Sequence, residues 1–133
     1  MMIRAQIKQM ARQHLSDARL LLRRGRYDGA IYLGGYVVEM ALKERICRTL
    51  RWSGFPQTAK EFAGLQSFKT HNLEDLLHLS GIEVRIKTRH LAHWNVVLIW
   101  NPELRYNLPG SVSRADAQAF IDAVAVLRRV LSP

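Results

Sequence analysis

The stretch from Tyr27 to about Leu50 constrains this chain most: it holds no proline, and its middle, Ile31 to Leu42, is apolar nearly all round. An α-helix turns once every 3.6 residues, so a helix apolar on every side has to be wrapped by other elements. The stretch therefore predicts a helix running through the centre of an all-α fold. The four prolines and eight glycines are clustered, and the intervals between them are rich in Ala, Leu, Arg and Glu at helical spacing.

The flanking patterns supply the helices that wrap it. Ile3 to Arg24 places Ile3, Ile7, Met10, Ala18 and Leu21 on one side and closes on Gly25, a C-terminal cap. Arg51 to Phe68, interrupted by Gly54, Pro56 and Gly64, reads as a loop with at most a short helix near Ala59 to Leu65. Asn72 caps a short helix packed by Leu73, Leu76, Leu77 and Leu79 and stopped by Gly81. Leu91, Trp94, Val97 and Leu98 mark another, which ends by Asn101 because Pro102 disfavours α geometry before it. Ser113 and Asp116 open the last helix, with a stripe of Phe120, Ile121, Val124, Leu127 and Leu131; Arg128 and Arg129 suit its C-terminus. The expectation is one domain over residues 1–133, an antiparallel up-and-down helical bundle of about five helices. Gly34 and Gly35 inside the central helix call for close approach by another helix, which a second subunit can provide.

Charge narrows the partners. Twenty Lys and Arg against eleven Asp and Glu leave +9, a surface that favours polyanions such as nucleic acid, nucleotide or an acidic protein. The single cysteine, Cys47, can form no internal disulfide, which fits a reducing cytoplasm. No leader-like apolar segment opens the chain, and Gly29 to Val38 is too short to span a bilayer, so no membrane association is expected.

Several side chains can carry chemistry. At about 100° per residue, Arg4, Lys8, Arg12, Arg19, Arg23 and Arg26 fall within an arc of roughly 100°, either a solvated face or a track for phosphates. Glu39 and Lys43 are spaced as a favourable surface pair, with Tyr32 and Tyr36 on nearly the same face. His71, Asp75 and His78 align at i, i+4 and i+7, yet no further histidine or cysteine cluster completes a shell, so no metal or other cofactor is expected. Arg85, Lys87, Arg89, His90 and His93 read as a basic loop that either faces water or holds a phosphodiester and moves a proton.

Three segments in order resemble HEPN-domain proteins, small prokaryotic helical domains often encoded beside minimal nucleotidyltransferases: Gly25-Arg26-Tyr27-Asp28-Gly29-Ala30 running on to Glu39-Met40-Ala41-Leu42-Lys43, then Phe68-Lys69-Thr70-His71-Asn72-Leu73, then Trp100-Asn101-Pro102-Glu103-Leu104-Arg105-Tyr106. The resemblance implies a homodimeric helical bundle that holds nucleotide or RNA in a cleft between subunits and works with a nucleotidyltransferase or in a toxin–antitoxin type system. Lys69, His71, Arg105 and Tyr106 are then the binding residues, joined by Arg19, Arg23 and Arg26 of the basic stripe. Many members are metal-independent ribonucleases, and Arg85 with His90 has the spacing of their Arg and His, which makes this chain's enzymatic status an open alternative. Ile86 follows Arg85 where a polar residue is common, and Ala92 stands where nucleotidylated toxin members carry Tyr, so the resemblance implies a non-toxin or divergent member. A purely structural oligomerisation partner is the third reading. For Arg105 the alternative to a binding role is a salt bridge to Glu39, which inside an apolar helix needs a partner, or to another buried acid.

Overall fold

The computed structural model describes residues 1–106 and 110–133; the side chains of Arg105 and Tyr106 lie outside that description. A two-residue strand β1 (Met2–Ile3) leads into α1 (Arg4–Arg23), and a turn at Gly25 (φ +75°) reverses the chain into α2 (Tyr27–Leu50). Strand β2 (Gly54–Phe55) pairs antiparallel with β1, Met2 opposite Phe55. The chain then forms α3 (Leu73–Leu79), α4 (Glu83–Arg89), α5 (Leu91–Val97) and α6 (Arg114–Leu131), with 3₁₀ turns at Gln66–Phe68 and Pro102–Tyr106.

The fold is a helical bundle around α2. Ala30, Ile31, Val37, Val38, Ala41, Leu42 and Ile46 of α2 are buried, against Ile7, Ala11, Leu15 and Ala18 of α1 and Phe120, Ile121, Val124 and Leu127 of α6. Apolar burial at about 25 cal/mol per Å² is what holds such helices together. Gly34 and Gly35 of α2 are explained within one chain: a Cβ at Gly35 would run into the Trp100 indole, and one at Gly34 would lie 2.8 Å from Ile121 Cδ1. A second subunit is not needed to account for them. Trp100, laid flat on α2 in this way, donates its Nε1 hydrogen to the Tyr32 carbonyl at 2.9 Å.

Polar locks fix the helix directions. Arg4 at the start of α1 reaches the buried Glu44 near the end of α2, so these helices run oppositely. Arg45 donates to the carbonyls of Leu131 (2.7 Å) and Val130 (3.2 Å), closing the open C-terminus of α6 and setting it parallel to α2. Burial lowers the Arg45 pKa, with Arg48 and Arg85 adding like-charge repulsion. Between α2 and α6, three short helices supply the return arm. Residue 71 meets residue 39, Ser80 meets Thr49, and Asp28 accepts from Gly110 N and Ser111 Oγ at the far end.

Two expectations change. The basic stretch read as a loop contains helix α4, because Ile86 is buried and Lys87 is tied to Glu74 of α3, whose other oxygen accepts from the buried Trp94 Nε1 at 2.9 Å. Arg26 leaves the α1 stripe because the Gly25 turn makes it the N-cap of α2.

Candidate functional site

Glu39 lies in the most apolar part of α2, with 1% of its side chain exposed. A carboxylate in such a place must be paired and hydrogen-bonded to remain charged. Both oxygens are engaged. Lys43, one turn on, donates from Nζ to Oε2 at 2.9 Å, and His71, from the loop before α3, places Nδ1 2.9 Å from Oε1. The Glu39–Lys43 pair expected from the spacing is present, but its carboxylate is buried and not at the surface; among the described residues His71 is its second partner, and the side chain of Arg105, the other expected partner, lies outside the described residues.

The neighbouring residues hold this set in place. His71 directly precedes Asn72, whose Oδ1 accepts from Asp75 N at 2.9 Å and fixes the start of α3. Thr70 Oγ1 accepts from Asn72 N at 3.0 Å, so the loop reaches α3 in one direction. Lys43 also sits 5.2 Å from the centre of the Phe55 ring, a cation–π contact that keeps its aliphatic stem against the wall.

These groups border a cavity of about 400 Å³ lined by Lys43, Gln57, Phe62, Phe68, Lys69 and His71 among others. A second depression of about 230 Å³ adjoins it through His71 and is lined by Asn72, Glu74, Leu98, Trp100 and Asn101. A carboxylate at Glu39 can only accept, so Nδ1 of His71 carries the hydrogen, and in the neutral imidazole Nε2 has its lone pair for whatever enters. His71 is 61% exposed, and its imidazole therefore meets solvent and ligand with its orientation set from below by a carboxylate. Such a group accepts a hydrogen bond from a hydroxyl or exchanges a proton with it. Lys43 and Lys69 add positive charge, and the Phe68 ring adds a flat apolar face.

The residues named from sequence separate into groups. Lys69 and His71 share the cavity. Arg105 and Tyr106 as binding side chains lie outside the described residues. Arg19 and Arg23 are exposed on α1. Arg26 lines a different depression with Leu21, Tyr27, Asp28 and Val112. Arg85 is exposed on α4 and opens onto a depression with Val84, Thr88 and Arg89 that His90 does not line. His90, at the junction of α4 and α5, has its ring 6.4 Å from that of His93. His90 caps α4 outside its helical residues, and no hydrogen bond joins it to Arg85 among the described residues. His71 and His78 likewise diverge, one to Glu39 and the other to Glu83. Sequence reasoning missed Glu39 as the anchor of His71; the signal was an acid inside the apolar stretch Ile31 to Leu42.

Comparisons with protein-family models, curated proteins and solved structures returned no match for this chain. Among the described residues, no helix is long and apolar enough to cross a membrane.

Proposed function

We propose that this chain is a nucleotide- or RNA-binding domain of the HEPN kind, a cytoplasmic homodimer that works with a nucleotidyltransferase or in a toxin–antitoxin type pair. The observation that supports the reading most is the buried Glu39, which holds His71 and Lys43 at the edge of a cavity that Lys69 also lines. Net positive charge beside an aromatic face suits a ligand with phosphate at one end and a base at the other. The lysines meet phosphate as point charges, Phe68 meets the base, and His71 Nε2 accepts from a ribose hydroxyl. No bond-breaking step is assigned to these residues.

Fluorescent titration with mant-ATP and with a short single-stranded RNA tests the reading. Lys69→Ala removes an exposed cation that makes no ion pair among the described residues, so melting temperature should hold while affinity for at least one ligand falls. A hydrogen bond to a charged group is worth about 1.5 to 3 kcal/mol, so the loss is about tenfold or more. Unchanged affinity for both ligands in Lys69→Ala and in His71→Ala would remove the reading. Sedimentation of the free and liganded protein tests the dimer.

A further inference from the structure

We propose that the seam between α1 and α6 is a second binding site, separate from the His71 cavity: a track for the phosphodiester backbone of nucleic acid, built from Arg12, Arg19, Arg128 and Arg129. Lys8 donates from Nζ to the Pro133 carbonyl at 2.7 Å, which pins the start of α1 beside the end of α6, and the two helices run in opposite directions. One turn inward from that contact, about 6 Å along α1, stands Arg12, and Arg128 and Arg129 stand in the last turn of α6. Arg19 continues the same face of α1 about 10 Å further on, only about 20° from Arg12 round the helix.

Among the described residues no acid neutralises these four. Among the described residues none of them forms an ion pair, in contrast to Arg4 and Lys8 on the same stripe, which meet Glu44. The nearest acids in sequence are otherwise engaged: Asp17 accepts from the Gln13 amide at 3.1 Å and Asp122 from the Gln118 amide at 2.9 Å. Asp17 also lies about 140° round α1 from Arg12. Arg128 is half-buried, and its pKa is lowered by that burial and then by Arg12, Arg129 and Arg19, in that order. Two helices thus hold like charges together where separation would lower the energy of the free protein, and an anion removes that repulsion.

The occupant follows from what accompanies the arginines. Guanidinium groups pair bidentately with phosphate, and their spacing along two helices suits a ligand with repeated phosphates rather than a single one. Helix α1 contains no Phe, Tyr or Trp, its His14 lies about 160° round the helix from Arg12, and the sole aromatic of α6, Phe120, is 1% exposed. With no platform for bases, the contact reads the backbone and not the sequence. An anionic membrane fits less well, because the apolar side chains Ile7, Ala11, Leu15 and Ala18 of α1 are already in the core and Leu20 is its one large apolar residue left exposed.

The test compares wild type with the triple variant Arg12→Gln, Arg19→Gln, Arg128→Gln. Binding is followed across a salt series with a labelled RNA hairpin, its DNA counterpart, mant-ATP, and vesicles of phosphatidylserine and phosphatidylcholine. The expected result is at least tenfold weaker hairpin binding at low salt and a slope of log affinity against log salt shallower by about 2 to 3, the value for three lost phosphate contacts. Mant-ATP affinity should not change, since the track does not rest on the cavity; conversely, His71→Ala should leave the hairpin salt slope unaltered. The corresponding triple Lys variant, which keeps the charge, should retain most of the slope and controls for folding. Equal hairpin affinity and slope in wild type and the Gln variant would overturn the proposal. So would a loss confined to vesicles, or a Lys variant as weak as the Gln variant while equally folded.

Discussion

Two buried carboxylates, Glu39 and Glu44, stand five residues apart on α2, and each is approached by two nitrogen-bearing side chains. At Glu44 both hydrogen bonds from Arg4 fall on Oε1 (3.1 and 2.8 Å), Lys8 stays at 4.0 Å, and Oε2 is buried without a hydrogen-bond partner among the described residues. At Glu39 the oxygens are shared out, one to Lys43 and one to His71, and the imidazole keeps a free edge toward a cavity. The difference teaches how to tell a lock from a site. Glu44 spends its charge joining the start of α1 to the end of α2, whereas Glu39 orients groups that can still act on something else.

Breaking the lock should have the largest effect. Arg4→Ala leaves the Glu44 charge with only the distant Lys8, and removing one partner of a buried pair costs about 3 to 5 kcal/mol. For a chain of this size, thermal denaturation should show a loss of about 10 °C or more. Mant-ATP affinity measured below the transition should not move, and a parallel loss of affinity would erase the distinction between the two carboxylates.

Glu39→Gln sharpens the other side. A neutral amide puts an oxygen at one of the two carboxylate positions and an NH₂ at the other, so it cannot accept from Lys43 at one and from His71 at the other. Ligand affinity should drop about tenfold, with a smaller fall in melting temperature than Arg4→Ala causes. The reverse order of effects would mean that Glu39 is a lock too.

The smallest expected effect is read at Cys47, buried beside Glu44. Burial first and the Glu44 charge second raise its thiol to about 11. A folded value above the unfolded one of about 9 means that this thiol's stabilising contribution is complete below about pH 9 and is lost as pH rises toward about 11. Glu44→Gln should lower the titration midpoint by less than the whole shift, because burial remains; thiolate absorbance near 240 nm follows it. Glu39→Gln should leave the Cys47 titration where it is.

How much of this was legible in the sequence depends on the reach of each interaction. The ends of α2, the Gly25 turn and the caps at Asn72 and Ser113 are local chemistry, and they lie where the residue pattern put them. Helix α4 was not legible, because it offers one buried apolar residue, Ile86, and depends on Glu74 from another helix. The β1–β2 ladder, two residues long, gives no periodic signal at all. At the site, His71 and Lys69 were named from their segment, and the need of Glu39 for a partner followed from its apolar surroundings. Which partner did not follow: His71 comes from 32 residues away, and the path of the loop between β2 and α3 decides it. The basic stripe was half legible, since helix geometry gives the face, but only packing shows that Glu44 engages Arg4 and Lys8 while Arg12 and Arg19 face α6 arginines instead.

In the proposed reading Glu39 fixes the His71 ring so that Nε2 meets a nucleotide. Long-range ¹H–¹⁵N correlation spectra of the histidine rings, recorded with and without ATP, test it most directly. Neutral His71 should carry its hydrogen on Nδ1, its Nε2 resonance should move on adding ATP, and Glu39→Gln should abolish the tautomer preference. A His71 protonated on Nε2, or an Nε2 resonance unmoved at saturating ATP, would contradict it.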